Sequence, residues 1–163
     1  MLAPVSEGRE ESLRATLDLL PAGGQSPLAR VPGLHFSRWV IVPDLVYGAE
    51  PQRPDHLERP QLIFTSTFDG PLDQHLSALL DGLGATADEV WGHCAGWPGR
   101  AVARDWLLAH RVRTGLFVAA YPEASVADVH RALDARDRLL ALAEDAQGEG
   151  AEAARRRFVQ EFC

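Results

Sequence analysis

Short runs rich in β-branched and aromatic residues occur four times along the chain, and four other stretches space apolar residues three and four apart. His35–Val42 (HFSRWVIV) and Leu62–Phe68 (LIFTSTF) are the clearest strands, ended by Pro43-Asp44 and by Asp69-Gly70-Pro71. Glu89–Cys94 (EVWGHC), which leads into a Gly-Trp-Pro-Gly turn, and Gly115–Tyr121 (GLFVAAY), stopped by Pro122, predict a third and a fourth strand. The helical spacings fall at Glu7–Leu20, at about Leu72–Leu83 with a stripe of Leu72, Leu76, Leu79, Leu80 and Leu83, at Arg100–His110, and from a Ser125 cap to about Ala146. The last of these carries Val126, Val129, Leu133, Leu140 and Ala143 along one side. Between the first two strands, Pro43 to Pro60 holds four prolines and reads as a long connection.

After the initial helix the order is therefore β-β-α-β-α-β-α. A helix joins the second and third strands, which makes them parallel with a right-handed crossover and another strand between them. Placing the fourth strand in that gap gives an α+β fold: a ferredoxin-like, four-stranded sheet with helices on one face, in permuted order. Residues 1–34 form an N-terminal helix and arm, 35–146 the α+β domain and 147–163 a C-terminal tail. The helix-free face needs cover, and a homodimer supplies it.

The segments HFSRW, STFDG and GHCAGWPG, within residues 30 to 122, resemble a pattern recurrent in bacterial proteins of unassigned function and look like the dimeric α+β barrel superfamily. That superfamily includes haem-dependent peroxidases, monooxygenases and structural modules, so the resemblance implies a fold and a dimer more than any one chemistry.

With 163 residues, 46% of them hydrophobic and 24% charged, the chain suits one cored domain and not a disordered or disulfide-built one. No apolar run approaches the roughly 20 residues that cross a bilayer. The first residues carry acids and lack an apolar leader core, so a cytoplasmic location is expected, with Cys94 and Cys163 reduced. The net charge of −7 opposes a phosphate backbone, which argues against nucleic-acid binding. All sixteen basic residues are arginine, which excludes lysine Schiff-base chemistry.

Few polar residues point to chemistry. Arg38 alternates with Phe36, Val40 and Val42 on one strand face. It is either salt-bridged, to an acid such as Asp69, or an anion clamp in a pocket. Asp69 either caps the following helix or acts as a base. His93 shares a strand face with Trp91 and is either a hydrogen-bonded core histidine or a ligand- or haem-contacting imidazole. Neighbouring Cys94 projects to the opposite face, so the two do not make a nucleophile–base pair. His75 falls opposite the leucine stripe of its helix and attracts no role. Trp39, Trp91, Trp97 and Trp106 are either core or the lining of a cavity for a flat apolar ligand, haem and flavin among the candidates. No HExxH, CxxC or His-x-His spacing suggests zinc, and no GxGxxG, Walker A or GxSxG motif is present.

These readings predict a domain that binds a small, largely apolar ligand on its open sheet face, with Arg38, Trp39, Trp91 and His93 as binding residues, Arg38, Asp69 and His93 as catalytic candidates, and oxidoreductase-type chemistry as one option. The alternative is a non-catalytic dimerising or protein-interaction module.

Overall fold

A computed structural model describes residues 1–51, 53 and 55–162. The chain divides into two units, Met1–Ala119 and the residues from Ala120 onward.

The first unit is built on a three-stranded antiparallel sheet in the order β1-β3-β2, from β1 (Leu2–Pro4), β2 (Leu34–Val42) and β3 (Gln61–Phe68). The β2–β3 hairpin follows the alternation of the sequence. Leu62 and Phe64 are buried on one face with Trp39 and Ile41 packed beside them, and Phe36, Arg38 and Val40 point outward. The β1 strand lies inside the segment expected to be an arm. Ala3 and Val5 are fully buried, and Pro4 is tolerated because β1 is an edge strand.

Helix α1 (Glu10–Leu19) follows, and α2 (Leu72–Leu83) lays Leu76, Leu79 and Leu83 into the core. Gly82 lies within α2, where a Cβ would come within 2.9 Å of Val31 Cγ2. Gly84 ends the helix at φ +56°, a conformation that glycine adopts freely. Helix α3 (Ala85–Trp91) comes next, then α4 (Ala103–Ala109).

The expected four-stranded ferredoxin-like sheet is not formed. Glu89–Cys94 is not a strand: its first residues are the end of α3. Within α3 the apolar residues Ala87, Val90 and Trp91 recur at helical spacing and are buried together, which outweighs the β preference of Val90 and Trp91. Gly115–Tyr121 has the composition of a strand but pairs with none. Leu116 is 83% exposed and Val118 79%, so no buried face rewards its β preference. With neither segment in the sheet there is no parallel crossover, and what remains is an antiparallel hairpin extended by β1.

The second unit holds α5 (Val126–Asp145) and α6 (Ala151–Phe162). Ser125 caps α5 as the sequence predicts: its Oγ accepts from the Asp128 N–H while the Asp128 carboxylate accepts from the Ser125 N–H. No residue of either helix is buried. Among the described residues, no helix is long and apolar enough to cross a membrane.

Candidate functional site

β1 stops short along β3. It pairs with Gln61, Leu62 and Ile63, leaving the end of β3 without a neighbour on that side. A cleft of about 860 Å³ opens there. Phe64 and Phe68 of β3, Leu72, Leu76 and Leu79 of α2, and Leu107 and Leu108 of α4 supply its apolar walls. Residues 111–114 run along its mouth, where Arg111 and Arg113 are exposed. His110 fixes their start, because its carbonyl accepts a 2.9 Å hydrogen bond from the Leu2 N–H.

The polar end of the cleft is a pair. His75 of α2 is 4% exposed, its ring lies flat on Phe68 at 3.7 Å, and a 3.0 Å hydrogen bond joins its Nε2 to Ser66 Oγ. Nδ1 is buried and has no partner among the described residues. Burial pulls the His75 pKa below the ordinary histidine value, because the charged ring would lose its hydration. The ring is therefore neutral near pH 7. A serine at this distance from an imidazole has the spacing of a nucleophile and its base, but the third member of such a set is missing. Among the described residues no carboxylate lines the cleft to orient the ring through Nδ1. The pair is equipped to bind through the Ser66 hydroxyl.

Sequence reasoning passed over His75 as opposite the leucine stripe. It lies three residues after Leu72 and four before Leu79, on the flank of the same stripe, and α2 presses that flank against β3. Reading the helix as a broad apolar face would have found it.

The residues singled out from the sequence are dispersed. Arg38 is exposed on the outer face opposite Thr65 and makes no ion pair among the described residues, so the expected bridge to Asp69 is not made. A guanidinium in water needs no partner. Asp69 does not cap α2, whose N-cap is Pro71 without a side-chain hydrogen bond. Its Oδ1 instead accepts a 2.7 Å hydrogen bond from His35 Nε2, pinning the strand ends together.

Trp91 is wholly buried in α3 and Trp39 packs on the core face, so neither reaches the outer face of the sheet. Trp39, Phe64, Trp91, Trp97 and Trp106 form a continuous run of ring contacts with centroid separations of 5.0–6.2 Å. They are core, apart from the edges that Phe64 gives to the cleft.

His93 follows α3 in a turn and is 8% exposed. Its Nε2 lies 3.3 Å from Thr16 Oγ1 of α1, its Nδ1 is buried without a partner, and burial with nearby Arg9 lowers its pKa. In both His93 and His75, Nε2 is within hydrogen-bond distance of a hydroxyl and Nδ1 is buried. Cys94, also buried, has its thiol pushed up to about 12 by desolvation, which leaves it uncharged and unreactive. The expectation for Cys163 falls outside the described residues.

The long connection is pinned at its neck. Asp44 Oδ1 accepts from the N–H groups of Leu45 and Leu57, each at 2.8 Å, and its Oδ2 accepts from His56 Nδ1 at 2.7 Å. These bonds hold the Asp44 carboxyl down at about 2 and raise the pKa of His56.

No protein-family profile, curated protein or solved structure matches the chain.

Proposed function

We propose that this chain binds a small, largely apolar ligand carrying one anionic group, in the cleft beside the unpaired end of β3. The observation that supports this reading is the cleft itself. About 860 Å³ lies within the range of small-molecule pockets, its walls are rich in leucine and phenylalanine, and Ser66 and His75 form a hydrogen-bonded polar pair in them. Arg111 and Arg113 at the mouth favour a carboxylate or phosphate over a neutral head. A cytoplasmic setting accords with the free thiol of Cys94.

Titration calorimetry with decanoate, and with decanol as the neutral counterpart, tests the proposal. Saturable one-to-one binding of decanoate is expected, weakened by Arg113→Glu and abolished by Leu108→Trp, which fills the cleft. Binding that ignores Leu108→Trp, or no saturable binding of either compound, refutes it.

A second reading, self-association into a homodimer, is favoured by the apolar surface left in water. Phe36 on the outer face of β2 is 78% exposed, and Leu116, Phe117 and Val118 are 83%, 67% and 79% exposed, large apolar side chains that self-association would cover. Sedimentation velocity over a range of concentrations tests it, and a monomer throughout refutes it.

A further inference from the structure

We infer that the cleft takes an extended peptide with apolar residues and a free C-terminal carboxylate, which adds to the end of β3 as an edge strand. This inference rests on the cleft reading and names the class of its ligand.

β3 turns its main chain toward the cleft. Successive residues of a strand direct their N–H and C=O groups to opposite edges. Phe64 directs its N–H to the β1 side, where the Met1 carbonyl accepts it at 3.0 Å. Asp69 directs its N–H to the β2 side, where the Gly33 carbonyl accepts it at 2.8 Å. Ser66 and Phe68, in step with Phe64, therefore hold their N–H and C=O groups away from β2, toward the cleft that both residues line. Among the described residues no strand pairs with them on that side, and no backbone group bonds to them there. Both residues are half-buried. An alkyl chain laid along this edge would strip water from the four groups and offer them nothing, whereas an extended peptide bonds to all four.

β1 sets the pattern that such a peptide continues. Its residue Ala3 stands opposite Leu62, and Val5, just beyond it, donates its N–H to the Pro60 carbonyl at 2.8 Å. Both side chains are fully buried on the core face. A strand added in the same line likewise sends inward the side chains whose N–H groups face β3, against Leu72, Leu76 and Leu107 of the cleft wall. Apolar residues at every second position are thereby selected.

Charge sets the direction. Among the described residues lining the cleft, Arg111 and Arg113 carry charge and no carboxylate is present to offset them. The bond from the Leu2 N–H to the His110 carbonyl holds the backbone before Arg111 at the β1 end of the cleft. A peptide antiparallel to β3, as β1 is, arrives at that end with its C-terminus, so its carboxylate meets the arginines. A parallel peptide would bring an N-terminus there instead.

Titration calorimetry of the full chain with acetyl-Ser-Leu-Ser-Leu-Ser-Leu, free at its C-terminus, supplies the test, with decanoate alongside. The peptide is expected to bind one to one and about tenfold more tightly than decanoate. Methylating the nitrogen of the middle leucine raises the Kd about tenfold, because that N–H faces β3. Methylating the serine nitrogen that follows changes it by less than about twofold, because that N–H faces away. Amidating the C-terminus raises the Kd about tenfold, and Arg111→Glu removes the advantage of the free acid over the amide. Failure of both peptide and decanoate to bind overturns the cleft reading and this inference together. Decanoate binding more tightly than the peptide, equal responses to the two methylations, or indifference to amidation overturns the inference alone.

Discussion

Replacing Ser66 by Ala tests the polar end of the cleft directly. The change removes the hydrogen-bond partner that the His75 ring has among the described residues; His75 is 4% exposed and its Nδ1 is already unsatisfied there. A buried polar group stripped of its partner costs about 1–3 kcal/mol, because water does not reach it to compensate. At about 3 °C per kcal/mol for a chain of this size, the melting temperature falls by about 3–9 °C. Replacing His75 by Leu in the Ser66→Ala background removes the orphaned ring and lets an apolar side chain pack on Phe68, so most of the loss is recovered. Scanning calorimetry of the parent, both single variants and the double variant closes the cycle. A Ser66→Ala change that costs the same with Leu at position 75 as with His would refute the reasoning, since the cost would then owe nothing to the imidazole. The cycle also has a pH signature. The His75 pKa is lowered, so the unfolded chain takes up the proton first. The stabilisation is full above the unfolded value of 6.5 and is lost as pH falls below it toward the folded value. His75→Leu removes part of that acid sensitivity.

Four further outcomes follow from the geometry. The Asp44–His56 neck is firmest between the ordinary carboxyl and imidazole values: protection of the Leu57 amide falls as pH drops toward 2, where Asp44 protonates, and again as pH rises through the raised His56 value, as amide exchange corrected for its intrinsic rate will show. Iodoacetamide leaves Cys94 unmodified in the folded Cys163→Ser protein and alkylates it only in denaturant, by mass spectrometry; rapid labelling of the native protein would contradict the burial. Gly82→Ala forces its Cβ against Val31 and lowers stability by about 1–3 kcal/mol in urea unfolding, although alanine is the better helix former. Ser125→Ala removes one half of the capping box and costs α5 about 1 kcal/mol, visible as fraying of its first turn in carbon chemical shifts.

The sequence displays the β2–β3 hairpin, α2 and the start of α5 because each carries a local signal: a period of two, a leucine stripe, a serine cap. The remaining elements depend on partners that local pattern does not reveal. Val90 and Trp91 favour a strand taken alone, and only with Ala87 do they form a helical stripe. Gly115–Tyr121 has strand composition without a strand beside it, whereas Leu2–Pro4 is too short to stand out yet finds β3. The cleft was hidden for the same reason. It depends on where β1 stops, and Ser66 and His75 belong to separate elements that meet only in three dimensions. Arg38, conspicuous in one dimension, lies on the water side of the sheet.

The run of indoles through the core has a practical consequence for optical work. All four tryptophans lie before Ala120, in ring-to-ring proximity, so a photon absorbed by one is shared among them and the emission behaves as a single lamp. That lamp lights the sheet unit and leaves α5 and α6 dark. Emission and peptide-bond ellipticity then follow different parts of the chain, and two curves that fail to coincide are the expected behaviour of two units, not the mark of a partly folded species.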